Sequence, residues 1–263
     1  MLDSNPFAEL SAMIPAAAMQ TYVVAMFLLV VGGTIADVIH KKSARFFFEN
    51  AKKAKKAATQ ELSSGDRTSV LIRTVAEDVL TSAEFCNPRR RLAHLLTMYG
   101  FVAFVVTTVI LIFGYPTSPD APGILTLLWH LGALAVCVGG YWFWFFIRVD
   151  VAAEGNPWYR VIRADLFILS LLATTTFALL WSILQAAGAG GLTTLFFYLF
   201  ILSSTLLFGG VLWSKFAHMF FKPAAAYQKR IAVADGSMDN LPPPADTPEK
   251  FGLGIKRELP NHY

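Results

Sequence analysis

The chain has 263 residues, of which 55% are hydrophobic and only 15% are charged. Ordinary soluble domains carry about a quarter charged residues, so this composition argues against a soluble globular fold. The net charge of +4 comes from Lys and Arg residues that flank apolar segments. A basic surface for nucleic acid is therefore a poor explanation of the charge, and we expect no nucleic-acid partner.

Five apolar runs are long enough to cross a bilayer, which needs roughly 20 residues in a helix. They cover residues 21–40, 92–113, 124–147, 166–184 and 192–213. Backbone groups in hydrocarbon must be hydrogen-bonded within their own segment, so these runs are predicted to be helices rather than strands. The predicted fold is all-α: a polytopic membrane protein whose five-helix transmembrane bundle occupies residues 21–214, after a short outer segment 1–20.

The placement of the basic residues predicts the orientation of this bundle. All 22 Lys and Arg residues lie in segment 41–91, at three positions between the third and fourth runs, or from residue 215 onward. The segments 1–20, 115–123 and 187–191, which lie on the opposite side, contain none. Since short cytoplasmic loops carry the excess of Lys and Arg, we expect the N-terminus outside and the C-terminus in the cytoplasm.

Segment 41–91 is predicted to be a cytoplasmic helical loop. It begins KKSARFFFENAKKAKKAATQEL, in which three phenylalanines at 46–48 precede a lysine-rich stretch. This pattern is typical of an amphipathic helix that lies on anionic lipid. A second helical stretch, SVLIRTVAEDVLTSAEF, follows the break at SSGD. A solvated helical hairpin without a partner is the alternative.

The last segment, 215–263, is predicted to be a cytoplasmic tail that docks a partner. Its end is rich in Pro and polar residues, and such segments commonly become ordered only on a partner. It nevertheless keeps apolar side chains that a purely solubilising tail does not need, among them Phe251, Leu253, Ile255 and Tyr263. A disordered tail without a function is the alternative.

The chemistry of the membrane segments excludes several classes of protein. The centres of the apolar runs contain no Lys, Arg or Glu, whereas transporters place ionisable groups there. Asp37 and Asp165 lie near the predicted cytoplasmic ends of the first and fourth runs, where interfacial water is expected to reach them. No nucleophile–base pair or Gly-rich phosphate loop is visible, so hydrolysis or group transfer within this chain has no support.

Two histidines are candidates for the axial ligands of a haem iron. His94 opens the second run and His218 closes the fifth, so both are expected at the cytoplasmic leaflet and at similar depth. Two neutral imidazoles that face each other across a bundle meet the requirement of a bis-histidine b haem. The cationic run Arg89, Arg90 and Arg91 lies next to His94, where haem propionates need partners. The alternative is that each histidine is an ordinary interfacial residue.

The remaining histidines of the membrane region have other expected roles. His130 has no second histidine opposite it and is interpreted as a hydrogen-bonded core residue, with a contact to quinone as the alternative. His40 lies one turn after Asp37 at the cytoplasmic end of the first run. Such a pair is able to exchange protons with a quinone, whose reduction consumes two protons and two electrons. An ordinary histidine at a helix end is an equal alternative.

Several stretches of the chain resemble a known membrane subunit. The run LWHLGALAVCVGGYWFWFFIRVDVAAEGNPWYRVIRADLFILSLLATTTFALLW, with SKFAHMFFKP and the ending FGLGIKRELPNHY, is similar to the membrane anchor subunit of dissimilatory adenylylsulfate reductase from sulfur-oxidising bacteria. This resemblance covers most of the chain, from about residue 88 to residue 263. More distantly, the chain is similar to membrane subunits of quinone-interacting oxidoreductases and to the γ-subunit of respiratory nitrate reductase, which are five-helix proteins with b haem.

The resemblance implies a function, a partner and at most one haem. In two-haem members of the wider family, the second histidine pair falls at Phe104 and Phe200 of this chain, which cannot bind iron. His94 and His218 match the cytoplasm-proximal pair. The implied partner is the soluble reductase, with its flavin and iron–sulfur subunits, at the cytoplasmic membrane of a bacterium. The chain is expected to relay electrons from sulfite oxidation to quinone; a purely structural anchor without a redox cofactor is the alternative.

Overall fold

The structure is a computed structural model that describes residues 5–85, 87–117, 121–214, 216 and 218–237, without the side chains at 41, 43 and 218. Within these residues every regular element is helical, and they contain no strand. The α-helices are α1 (Pro6–Leu10), α2 (Ala16–Lys41), α3 (Ser43–Ala57), α4 (Ser64–Arg73), α5 (Pro88–Gly114), α6 (Gly123–Trp142), α7 (Val149–Ala152), α8 (Leu166–Ala186), α9 (Gly191–Gly209) and α10 (His218–Ala234). Two π-helical segments, Thr74–Leu80 and Phe143–Ile147, and a 3-10 turn at Arg163–Asp165 extend α4, α6 and α8.

Five of the described helices are long and apolar enough to cross a membrane. They are Ala16–His40, Pro88–Gly114, Gly123–Ala152, Arg163–Ala186 and Gly191–Gly209, each near one of the five predicted runs. The all-helical character and the five apolar helices predicted from the sequence are therefore confirmed. The chain has the helices of a multi-pass membrane protein.

The end of the fifth apolar helix differs from the prediction. Helix α9 ends at Gly209, the chain turns through Gly210, and His218 begins the separate helix α10. The prediction that His218 closes the fifth membrane helix is therefore wrong. Glycine is a common residue where helices end, and the pair Gly209–Gly210 interrupts an otherwise continuous apolar run.

The chain divides into two compact units. The first, called here the bundle unit, comprises Met1–Ala36 and Leu92–Ala217. The second unit comprises Asp37–Arg91 and His218–Tyr263, of which residues 238–263 lie outside the described part. Segment 41–91, which the sequence analysis assigned to the transmembrane domain as a loop, is thus grouped with the start of the predicted tail.

The helices of the bundle unit approach one another through small residues. A Cβ atom at Gly100 of α5 would lie 2.7 Å from the carbonyl oxygen of Gly132 on α6, and a Cβ at Gly132 would lie 2.8 Å from the carbonyl oxygen of Gly100. Two turns nearer the start of α5, a Cβ at Gly139 would lie 2.6 Å from the carbonyl oxygen of Ala93. In hydrocarbon, helices associate through such close backbone contact rather than through the hydrophobic effect.

Aromatic rings fill the centre of the bundle unit. Trp129 of α6 and Trp181 of α8 are fully buried and lie 6.4 Å apart between ring centroids. Phe7 of α1 contacts both, with centroids 5.8 and 5.4 Å away. The predicted short outer segment 1–20 is therefore packed into the core at residues 5–10, where Asn5 Nδ2 also donates to the carbonyl oxygen of Tyr115 at 2.9 Å.

The second unit is held together by hydrogen bonds and ion pairs that involve α10. The backbone N–H groups of Thr59 and Gln60 donate to the oxygen of Asp235, at 2.9 and 3.2 Å. Helix α4 begins with a capping box in which Ser63 and Asp66 satisfy each other's backbone N–H groups. The two helical stretches predicted in segment 41–91 are confirmed as α3 and as α4 with its π-helical extension.

Arg230 of α10 joins two carboxylates of the π-helical extension. Its guanidinium donates to Glu77 Oε2 at 2.7 Å, to Asp78 Oδ1 at 2.9 Å and to Asp78 Oδ2. These hydrogen bonds lower the pKa of Asp78 and the pKa of Glu77, whose carboxylate Arg73 also stabilises. The contribution of this contact is complete above the ordinary carboxyl pKa values of about 4 and is lost as the pH falls through the lowered values.

We therefore expect α4 and α10 to separate in acid, below about pH 4. Spin labels at Thr68→Cys and Ala225→Cys, with Cys86 and Cys137 replaced by Ala, should give a narrow distance distribution at neutral pH and a broad one in acid. The variant Arg230→Met should give a broad distance distribution already at neutral pH. An acid-insensitive distribution in the chain that retains Arg230 would contradict this account.

Candidate functional site

His94 lies in the second turn of α5, with its side chain exposed at the surface of the bundle unit. Phe101 is seven residues later and thus occupies nearly the same face of the helix. The ring of Phe101 lies 6.4 Å from that of Phe208 on α9. Phe208 in turn lies 6.0 Å from Phe216, which lies 5.5 Å from Phe167 of α8. His94 is therefore on the face of α5 that turns toward α9 and this aromatic cluster.

His218, the second predicted ligand, is the first residue of α10 and belongs to the second unit. His94 belongs to the bundle unit, so no single compact unit contains both histidines. The side chain of His218 lies outside the described part of the structure. The backbone of His218 is close to the aromatic cluster along the chain, because it follows Phe216 by two residues.

The interior of the bundle does not fit a haem at the distal family positions. The rings of Phe104 on α5 and Phe200 on α9 are both buried and contact each other edge to face, 6.4 Å apart. Trp181 stacks on Phe200 at 5.8 Å with an interplanar angle of 9°, and Trp129 lies 5.2 Å from Phe104. Aromatic side chains thus occupy the space between these helix faces. The role of His94 as a haem ligand stays a prediction.

The predicted propionate partners have contacts within the second unit. The guanidinium carbon of Arg90 lies 5.6 Å from the centroid of the Phe85 ring. Arg91 Nε donates to the carbonyl oxygen of Thr81 at 2.7 Å. Both arginines therefore stabilise the turn before α5. Arg90 and Arg91 are half-buried, whereas Arg89 is exposed.

Asp37 and His40 lie in the last turns of α2, in different environments. Asp37 is only 3% exposed, whereas the side chain of His40 is exposed. The carboxylate is therefore not at the interfacial water where the sequence analysis expected it. A proton exchanged between these two residues would have to pass from a buried group to an exposed one.

The expectation that His130 is a hydrogen-bonded core residue is confirmed. Its side chain is buried in α6, with Nδ1 2.8 Å from the carbonyl oxygen of Thr126 and Nε2 2.8 Å from Ser182 Oγ. A carbonyl oxygen only accepts, so Nδ1 carries the proton and Nε2 accepts from the Ser182 hydroxyl. This hydrogen-bonding pattern occupies both ring nitrogens.

A buried ion pair, not predicted from the sequence, joins the end of α6 to the start of α8. Arg148, 4% exposed, donates from Nη1 to Asp165 Oδ2 at 2.8 Å. It also donates to the carbonyl oxygen of Arg160, and its guanidinium lies 4.1 Å above the Trp144 ring. Asp165 is 7% exposed, so the expectation that interfacial water reaches it is wrong. The sequence feature that could have indicated this ion pair is the position of Arg148 and Asp165, each just outside an apolar run.

The predicted partner-binding residues lie outside the described part of the structure. They are the apolar residues of the tail, Phe251, Leu253, Ile255 and Tyr263. The tail is described only as far as residue 237, where Ser237 N–H donates to Asp235 Oδ1 at 3.0 Å. Docking by residues 238–263 stays a prediction.

Comparisons of the chain with protein-family models, with curated proteins and with solved structures find no match.

Proposed function

We propose that this chain is the membrane anchor subunit of a soluble oxidoreductase of the adenylylsulfate reductase type. The observation that carries the proposal is the combination of five apolar helices with a separate, charged helical unit. A bundle alone would suffice for a lipid-embedded protein. The second unit, built with its own capping box and ion pairs, offers a surface outside the apolar helices for a soluble partner.

The proposed orientation places the second unit in the cytoplasm of a bacterium. All Lys and Arg residues lie in or beside the segments that this orientation assigns to the cytoplasmic side. The N-terminus is then outside and the C-terminus inside the cytoplasmic membrane. In this orientation the tail, with Phe251, Leu253, Ile255 and Tyr263, reaches the soluble flavin and iron–sulfur subunits.

The proposed role is to pass electrons from the iron–sulfur subunit to quinone. Oxidation of sulfite with AMP to adenylylsulfate releases two electrons, and a quinone takes up two electrons and two protons to become a quinol. His40 and Asp37 are the proposed groups for proton exchange with quinone. His40 is exposed and Asp37, three residues earlier on α2, is buried, so the proposed pair would lead protons between water and the interior of the protein.

We further propose that the chain binds a single b haem. His94 and His218 would hold it, and Arg90 and Arg91 would meet its propionates. When bound, such a haem supplies a one-electron carrier between the iron–sulfur subunit and quinone. The position of His94 on the face of α5 that turns toward the aromatic cluster supports this assignment.

A purely structural anchor is the second candidate function. The contacts of Arg90 with Phe85 and of Arg91 with Thr81 favour it, because both cations already serve the turn before α5. In this alternative the two histidines have no redox role. Both candidates predict that the chain retains the soluble reductase at the membrane, so a spectroscopic readout is needed to separate them.

The test is an optical spectrum of the purified full-length chain after reduction with dithionite. The redox proposal predicts sharp α and Soret bands that disappear in His94→Ala and in His218→Ala and persist in the control His262→Ala. A featureless spectrum would leave the structural anchor. Co-purification of the soluble reductase with membranes tests the shared part, and its retention by a chain lacking 241–263 would contradict the assignment of the tail.

A further inference from the structure

Helix α3 presents two different faces. Ala44, Phe47, Ala51 and Ala54 are half-buried and follow each other at helical spacing, so this stripe packs within the second unit. The neighbouring face carries a ridge, defined as Phe48, Lys52, Lys55 and Lys56, at positions i, i+4, i+7 and i+8. These four residues are exposed, and Phe48 has 61% of its surface accessible. An exposed phenylalanine in line with three lysines is not accounted for by packing within the chain.

The position of this ridge in the chain limits its distance from the membrane. The apolar part of α2 ends at His40, and α3 begins at Ser43. The intervening Lys42 has the left-handed conformation, with φ of 52°, so the chain changes direction within one residue. Phe48 is five residues into α3, and at 1.5 Å per residue it lies about 8 Å along the helix from its start. The ridge therefore begins within reach of the bilayer surface where α2 leaves it.

The charge of α3 specifies the chemistry that suits the ridge. Arg45 is paired with the one acidic residue of this helix, Glu49, at 2.7 Å. Within the described part of the chain, Lys52, Lys55 and Lys56 have no ion-pair partner. Lysine stems extend along apolar surface and direct their ammonium groups to phosphate, while an aromatic ring enters the headgroup boundary.

We propose that the ridge binds anionic phospholipid headgroups, with Phe48 inserted at the boundary between headgroups and acyl chains. Helix α3 is then attached to the membrane in two ways, by its covalent link to α2 and by this electrostatic contact. The contact depends on membrane charge and weakens with salt, because it acts over about the Debye length. The inference depends on α2 spanning a bilayer and is independent of any redox role for the chain.

The experiment compares hydrogen exchange of the full-length chain in nanodiscs of phosphatidylcholine alone and in nanodiscs that also contain phosphatidylglycerol. Anionic lipid should slow exchange several-fold at amides 44–57, and high salt should abolish the difference. The triple variant Lys52→Gln, Lys55→Gln, Lys56→Gln should lose this lipid-dependent difference in exchange, whereas the matched Lys→Arg triple variant should keep it. Phe48→Ala should make the difference smaller.

Several outcomes would overturn the proposal. Equal exchange in the two kinds of nanodisc would do so, as would a lipid response that the Gln variant retains. Protection of α3 that appears only when the soluble reductase is added to neutral nanodiscs would assign the ridge to a protein partner instead. A misfolded variant is recognised because its exchange rises along α5, α6, α8 and α9 as well. A chain without haem bands should give the same exchange results. The haem proposal and the lipid-binding proposal can therefore be refuted independently of each other.

Discussion

Replacing Arg148 by Met should lower the free energy of unfolding by about 3–5 kcal/mol, because it leaves the buried carboxylate of Asp165 without its cation. Asp165 accepts from Arg148 at 2.8 Å and from the backbone N–H of Ile162 at 3.0 Å, and only the second hydrogen bond would remain. Arg148 also donates a hydrogen bond to the carbonyl oxygen of Arg160. The segment between α6 and α8 would lose this hydrogen bond in the variant. The measurement is detergent-induced unfolding in mixed micelles, followed by tryptophan fluorescence.

Two further variants make this result specific. Arg148→Met combined with Asp165→Asn should recover part of the loss, since the amide keeps the hydrogen bond from Ile162 without a buried charge. Arg160→Gln serves as the matched control, because its side chain is half exposed and lies 3.9 Å from Glu154. Its effect should stay within the about 1 kcal/mol typical of surface pairs. If Arg148→Met were as mild as this control, the ion pair would not stabilise the connection.

Gly132→Ala should lower the free energy of unfolding of the bundle by about 1–3 kcal/mol, although it adds only one methyl group. The new Cβ would lie 2.8 Å from the carbonyl oxygen of Gly100 and 2.8 Å from the backbone nitrogen of Phe104. Both neighbours are backbone atoms, so a rotamer change cannot relieve the overlap, and α5 and α6 must move apart. The same unfolding assay measures the loss.

Gly32→Ala is the matched control for this substitution. It also lies in a membrane-spanning helix, α2, but a Cβ there would have no atom within 4 Å. Its effect should be neutral or stabilising by up to about 1 kcal/mol, because alanine is the better helix former. Equal losses at the two positions would show that helix–helix contact between α5 and α6 does not explain the cost at Gly132.

The parts of the candidate site that the sequence predicted are those with a local physical signal. His130 was recognisable as a core residue because it lies within an apolar run and has no histidine opposite it. The separation of His94 from His218 into two units had no such signal. Hydrophobicity continues from α9 past the Gly209–Gly210 pair to Trp213, so the pattern predicted one helix where the structure has a helix, a turn and the start of another.

The burial of charged residues was also beyond the sequence. Arg148 and Asp165 are 17 residues apart and lie at the ends of different apolar runs, where either could have been solvated. Only the packing of α6 beside α8 brings the guanidinium to the carboxylate. Phe7 illustrates the same point, because nothing in the pattern of the N-terminal segment indicated that its ring contacts Trp129 and Trp181.

By itself, the sequence determined the helical class of this protein and the positions of its five apolar helices. The reason is that hydrophobic length and the need to pair backbone groups are properties of each segment alone. Tertiary structure decided which residues meet: the glycine contact of α5 with α6, the Phe104–Phe200 contact that fills the interior, and the Arg148–Asp165 pair. These contacts join residues that are distant in the chain, so they contribute to stability only once the helices have packed.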